Sequence, residues 1–525
     1  MTDRSAEFAR DDLLPPQRDA RGEPVGPSSC RLIETKFEFE GRAYRRFDVG
    51  LDGAVEGFVT KDGPYKFYLT NVPELMFPQC GNIHPQFHAV ARYERDKGAA
   101  FILVLPDDGK AWNGKAFVTA HGRGRSFARG QLKAWNSYRD PAHPVADLNR
   151  YDLAVIRKGY ALVKTWRTSH EGLGEVQAVL DDGSTSDYVT FNDSSAYVAD
   201  FMAVARKLIE TTQGRAPAQT YLYGHSAGGH SARGMNYISG TNVGSDGRRI
   251  FDGFLVDDSA AGTWLPVVMK DGVDVLFASE SERARVVPQL EVSHLLYNAI
   301  WNYPDRPAYL TDSLLENKRR NAAMMLEKGL GEKFRYYEVR GVSHRGGEAY
   351  AYGAQHPPIL TLDLPLLMGR FVDLLDDWVT KGIAPPATRA DCAPLGDPDA
   401  RGVLRSPAIS LPEVACPLGV YFPWPKDGAY DTGFAPFNGD GLEPRDEAGA
   451  FIDMNRNGVW DRRETVQEAW VRFGLLAPGE TFTRAVYVER IARAAAALRA
   501  DGFFDDAAVE TTLARAKEAD LFGAA

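Results

Sequence analysis

The chain has 525 residues, 44% of them hydrophobic and 25% charged, with a formal net charge of -10. That balance argues against a nucleic-acid-binding surface, which needs a basic stripe. It suits a soluble globular enzyme whose core is large enough to need no metal or disulfide staple.

No apolar run approaches the ~20 residues of a membrane span. The first 30 residues carry too many charges and prolines for a secretory signal and are expected to form a disordered arm. The default compartment is the cytoplasm; a trimmed leader would instead mean the periplasm or the exterior. Cys30, Cys80, Cys392 and Cys416 form no C-x-x-C pattern. Cys392 and Cys416 share a proline-rich stretch and would bridge in an oxidising compartment, but free or buried thiols are the simpler expectation.

Residues 31–85 alternate in short segments (KFEFEGRAYRRFDVG, AVEGFVT, YKFYLT) broken by Gly and Asp, the pattern of β-hairpins. From residue 86 the pattern changes. FHAVARYE, AAFILVLP, KAFVTAHG and GYALVKTW are expected strands, followed by a helix in SSAYVADFMAVARKLIETT, whose apolar residues recur every three or four positions. Next come the strand TYLYG, a sharp turn at HSAGG and a helix through GMNYI. The segments IFDGFLVD and VDVLFAS are expected strands, LEVSHLLYNAIW and SLLENKRRNAAMMLEKG helical, FRYYEVRG a strand and LPLLMGRFVDLLDDWVTKG a helix. Strands alternating with helices imply a mainly parallel sheet covered on both faces, spanning residues 86–382. A Pro/Gly-rich linker opens a C-terminal extension, residues 383–525, that ends in two charged amphipathic helices.

Gly224-His225-Ser226-Ala227-Gly228 follows an apolar strand and precedes a helix. This is the setting of a nucleophile elbow: the serine sits in a strained turn, and small neighbours let strand and helix pack closely. The Ala227 N–H, at the helix start, is placed to stabilise an oxyanion. A phosphate loop would want a lysine or a G-x-G-x-x-G run, and neither is present. The serine needs a base, and His344 follows the last strand in FRYYEVRGVSH. His225 and His230 flank the serine too closely to act on it and are expected to pack or line a pocket; His294 and His356 carry no matching signal.

An acid must orient the imidazole. Glu280 and Glu282 follow VDVLFAS, and Glu282 is preferred; Asp257 and Asp258 are outside choices, more simply a strand-end cap. His121-Gly122-Arg123-Gly124 is close to an HGGG-type oxyanion loop, so Gly122 and Arg123 are candidates for the second N–H. The alternative for that loop is a tight turn.

These residues resemble the α/β-hydrolase superfamily over about residues 85–380, in the order serine, acid, histidine. The tail (SPAISLPEVACPLGVYFPWP), the SESE after VDVLFAS and YYEVRGVSH look like a bacterial α/β-hydrolase group with a C-terminal extension, and WNGKAFVTAHGRG is faintly similar to tannases and feruloyl esterases. The resemblance implies an α/β-hydrolase fold and a serine carboxylesterase needing no cofactor for catalysis. Its partner would be a small-molecule ester, with no nucleic acid and no membrane. A peptidase, amidase or acyltransferase would use the same triad, and an inactive binding protein is the remaining class. Aromatic residues at Tyr297, Trp301, Tyr303 and Tyr309 suit an aryl or bulky acyl group, although the same residues serve equally as core.

The tail holds a second motif. Asp453, Asn455, Asn457, Val459, Asp461 and Glu464 occupy the ligand positions of an EF-hand loop, with Gly458 at the turn. A lone structural calcium site is expected there; the bland alternative is a polar Asn/Gly turn.

Overall fold

The computed structural model describes residues 7–14, 29–52, 65–66, 83–84, 99–121, 144–145, 148–166, 173–176, 180, 182–184, 188–192, 195–225, 227–237, 241–244, 246–259, 267–295, 314–342, 344, 364–390, 408–424, 431–437 and 464–523. Ten strands form one mixed sheet. In chain order they are β1 (Glu7–Ala9), β2 (Ser29–Phe39), β3 (Arg42–Asp52), β4 (Ala99–Pro106), β5 (Ala116–His121), β6 (Ala161–Trp166), β7 (Thr220–His225), β8 (Gly253–Asp257), β9 (Gln289–His294) and β10 (Phe334–Val339). In space they run β1-β2-β3-β4-β6-β5-β7-β8-β9-β10. Pairing is antiparallel from β1 to β6 and parallel from β6 to β10.

The parallel half reads as apolar runs because both its faces are covered. β7 is buried at every position, with Tyr221 and Tyr223 entering one core and Leu222 the other. The first core is closed by α1 (Arg150–Arg157) and α6 (Leu364–Lys381), the second by α2 (Ser195–Gln213) and α3 (Ala227–Tyr237). Two further helices, α4 (Glu280–Arg285) and α5 (Leu314–Glu327), precede β10. Among the described residues, no helix is long and apolar enough to cross a membrane.

Three expectations need correcting. The N-terminal arm is not disordered throughout: β1 pairs with β2, Asp11 accepts a 2.8 Å hydrogen bond from the Cys30 N–H, and Leu13 is buried. Nor does the boundary expected between the β-rich region 31–85 and the core from residue 86 separate the first hairpin from the main sheet. β2 and β3 turn at Glu40-Gly41, both with positive φ as a two-residue hairpin loop requires, and β3 then pairs with β4 along the main sheet.

The third correction has the most consequence. VDVLFAS is not a core strand: only Val273–Asp274 pairs, and it does so in a separate antiparallel sheet with Val267–Lys270, Tyr188–Asn192 and Leu173–Val176. The core strand is β9, in the segment expected to be helical. QLEVSH carries no plain strand signal because Gln289, Glu291 and Ser293 alternate with Leu290 and Val292 while all are buried. The polar face is satisfied by a network: Arg233 pairs with Glu291, Asn321 donates to Glu291 at 3.0 Å, and Gln289 donates to the Tyr237 hydroxyl at 3.0 Å. Burial of such groups is tolerated only when they are paired.

The C-terminal extension packs on the β10 edge. Arg389 and Ile409 bridge to Tyr337 and Val339, and Phe503 meets Tyr337 edge-on, with ring centroids 5.2 Å apart. Covering the last strand removes an open sheet edge. The tail contributes α7 (Val466–Arg472), α8 (Arg484–Ala500) and α9 (Asp506–Glu518), whose apolar sides join the first core. Cys416 is a buried free thiol there; Cys392 lies outside the described residues.

Candidate active site

Parallel strands deliver their loops to one end of the sheet, where α/β folds place ligands. His225 ends β7 and is the register partner of His121, which ends β5, and of Asp257, which ends β8. Ser226 itself lies outside the described residues, but it falls between the end of β7 and the first residue of α3, Ala227. The glycines two positions before and after the serine stand where a side chain would collide with backbone. A Cβ on Gly224 would stand 2.3 Å from the Gly228 carbonyl oxygen, and one on Gly228 would stand 2.5 Å from that of Ala120. Strand and helix therefore meet backbone to backbone.

Of the oxyanion candidates, Ala227 begins α3, and Gly122 and Arg123 lie outside the described residues. Their loop leaves β5 level with the elbow, since His121 is paired with His225.

His344 follows β10, and its Nδ1 donates to Oδ2 of Asp258 at 2.6 Å. The expected acid, Glu282, does not take this place. Ser279, Glu280, Ser281 and Glu282 open α4, where the Ser279 side chain accepts from the Glu282 N–H at 3.0 Å and the Glu282 carboxylate accepts from the Ser279 N–H at 3.3 Å. That reciprocal pair is a capping box, and Glu280 is exposed beside it. The S-x-x-E spacing was the sequence signal for the cap. The orienting carboxylate is Asp258, the outside choice of the sequence, because VDVLFAS is not a core strand and β8 is.

Asp258 sits one residue past β8 with φ +36°, a left-handed conformation that few side chains accept without cost. It separates the roles of two adjacent carboxylates. Asp257 accepts from the Tyr223 hydroxyl at 2.7 Å and from His225 Nδ1 at 2.9 Å. Its other oxygen stands 2.9 Å from His294 Nε2, an ion-pair contact. On Asp258, Oδ1 accepts from the His294 N–H at 3.0 Å and from the Lys318 ammonium, leaving Oδ2 for His344. His294 Nδ1 lies 3.1 Å from the His344 carbonyl oxygen and ties the two loops together.

His225, Asp257, Asp258, His294 and Lys318 are fully buried, and of this group only His344 keeps any exposure, 7%. Burial raises both aspartates' affinity for a proton, but the neighbouring charges win: His294 and His225 hold Asp257 low, and Lys318, His294 and His344 hold Asp258 well below the usual carboxylate range. Burial also disfavours charge on His294, yet Asp257 and Asp258 outweigh it and lift its pKa to about 9. For His344 burial dominates, and with His225 and Lys318 nearby it outweighs the Asp258 hydrogen bond, leaving a pKa of about 4. His344 is thus a neutral base whose Nδ1–H is committed to Asp258, so Nε2 is the basic nitrogen. The His344 ring stands 4.7 Å, centroid to centroid, from the ring of His225, the residue before Ser226.

The sequence marks His225 only as a packing or pocket-lining residue and carries no signal for a role of His294 or Lys318. His294 was hidden by the helical expectation for its segment, and Lys318 by a charged run (ENKRRN) that looks like a solvated helix face. His230 falls within α3 and His356 outside the described residues, as do Tyr297, Trp301, Tyr303 and Tyr309. Among the calcium-ligand candidates, Asp453, Asn455, Asn457, Val459 and Asp461 also lie outside them. Glu464 is described, and its carboxylate accepts from Arg472 at 3.0 Å.

A mixed sheet with helices on both faces, the sequence Gly224-His225-Ser226-Ala227-Gly228 between a strand and a helix and a histidine–carboxylate pair at the ends of the parallel strands are the features of an α/β hydrolase. The chain belongs to the alpha/beta hydrolase domain family, whose model matches residues 135–514. No curated protein sequence matches it. Among solved structures it is similar to a siderophore hydrolase, EstA, from Aspergillus nidulans (11% identity, TM-score 0.24, covering 46% of this chain and 82% of that one). It is also similar to an IroE-like serine hydrolase from Shewanella oneidensis (12% identity, TM-score 0.22, 54% and 77%). An aminopeptidase from a marine sediment Thaumarchaeota archaeon matches at 10% identity and TM-score 0.30, covering 59% and 56%.

Proposed function

We propose that this hydrolase cleaves a carboxylic ester through an acyl-enzyme on Ser226. His344 Nε2 removes the Ser226 proton, the serine oxygen attacks the ester carbonyl, and the oxyanion rests on the Ala227 N–H with a second donor from Gly122 or Arg123. His344 then protonates the departing alcohol, and water reverses the path to release the acid. Asp258 replaces Glu282 as the orienting carboxylate: it holds the Nδ1–H tautomer and stabilises the imidazolium as it forms.

The observation that carries this reading is the His344–Asp258 hydrogen bond beside His225, at the end of the strand that leads into the elbow. A fluorophosphonate probe tests it by intact mass. One adduct on the wild-type protein, absent from Ser226→Ala, supports the nucleophile, whereas no adduct on folded protein refutes it. Phenyl and short-acyl chromogenic esters, run beside peptide anilides, then separate ester from amide cleavage. No cofactor enters this chemistry. A structural calcium ion in the 453–464 loop, remote in sequence from the elbow, is a separate proposal.

A further inference from the structure

We infer that Lys318 is a positioning residue for the hydrolytic site: its ammonium engages one oxygen of Asp258 so that the other faces the His344 ring. The inference rests on the hydrolase reading above and extends it to a residue on α5, remote from the elbow in sequence.

Lys318 is fully buried, and its ammonium pairs with Asp258 Oδ1. A buried ammonium is costly unless paired, and a lysine serving only to fill space is better replaced by an apolar side chain. Here the pairing has a directional consequence. Oδ1 accepts from both Lys318 and the main-chain N–H of His294, while Oδ2 accepts from His344. The carboxylate is held by the sheet on one side and by α5 on another, so it cannot rotate away from the imidazole.

The second consequence is electrostatic. The described groups facing Asp258 and His344 are Asp257 at the end of β8, His225 at the end of β7, His294 at the end of β9 and Lys318 on α5. Two carboxylates, Asp257 and Asp258, meet two cations, His294 and Lys318, so their formal charges cancel. His344 therefore sits beside a charged but balanced cluster. Without Lys318 an unbalanced negative charge would draw a proton onto His344 and take the base out of its active form at higher pH.

Lys318→Met tests this through the pH profile of fluorophosphonate labelling and of ester kcat/KM. The expected result is a 10- to 100-fold fall in kcat at roughly unchanged KM, the range for losing a side chain that supports a working histidine. The acidic limb should also move up by roughly one pH unit or more. A variant with lowered thermal stability but an unmoved acidic limb would overturn the inference and leave Lys318 a purely structural residue.

If the Met variant does not fold, wild-type protein carrying 15N-labelled histidine decides the matter. A His344 ring still neutral at about pH 5.5, with a slowly exchanging Nδ1–H, supports the balanced cluster; protonation near the ordinary histidine value overturns it. The histidine spectrum is readable whether or not Ser226 labels, so failure of the hydrolase reading and failure of this inference are distinguishable.

Discussion

Nδ1 of His344 and Oδ2 of Asp258 are 2.6 Å apart although 86 residues separate them in the chain. The contact exists because β8 and β10 both flank β9, so the turn after β8 and the loop after β10 meet above it. Asp258 turns left-handed at the end of β8 and leaves Asp257, its neighbour, to His225 and His294.

Replacing Asp258 with Asn should therefore lower kcat on a chromogenic ester by roughly 10^3- to 10^4-fold, because the amide no longer enforces the correct tautomer. Glu282→Gln should leave kcat unchanged and shift stability by less than about 0.5 kcal/mol, since Gln also closes a capping box. The reverse pattern would return the acid to Glu282.

In the proposed reaction His344, whose pKa burial lowers to about 4, would set the acid side of the activity profile. The base works only when neutral, so kcat/KM should stay level through neutral pH and fall as pH drops toward that value. An acidic limb centred near the unperturbed ~6.5 of histidine would contradict the burial argument.

His294 acts in the opposite sense. Its folded pKa is raised from 6.5 to about 9, so the stability it contributes is present below pH 6.5 and is lost as pH rises through 9. Between those values stability should decline by up to roughly 1.4 kcal/mol per pH unit for this one proton. Urea midpoints at pH 6.5 and pH 9 should differ in the wild type and converge in His294→Gln.

Breaking the polar network beneath the site should cost stability more than activity. Glu291→Ala strands the buried Arg233 guanidinium and is expected to destabilise by about 3–5 kcal/mol. Adding Arg233→Met should recover part of that loss, a non-additivity that denaturant titration of the two variants and the double variant would reveal.

Calcium addition should raise Tm and give a saturable heat of binding if the loop at Asp453 to Glu464 holds the ion. Glu464 then exchanges Arg472 for the metal, so Glu464→Gln should weaken binding. An unchanged Tm and no heat at millimolar calcium would reduce the motif to a polar turn.

Local signals were enough to read the fold class, the strand and helix on either side of Ser226 and the place of His344 after the last parallel strand. An elbow leaves its glycines in a short window, and a short strand such as TYLYG is legible without its neighbours. The acid was not legible, because its identity depends on which strands form the parallel core. Polar residues on β9 are satisfied by Arg233, Asn321 and Tyr237, from helices far away in sequence, so no local periodicity marks QLEVSH as a strand. Only the tertiary structure seats Lys318 and His294 against two adjacent carboxylates. A buried charge is stable only when its partner is present, and that partner is chosen by packing, not by spacing along the chain.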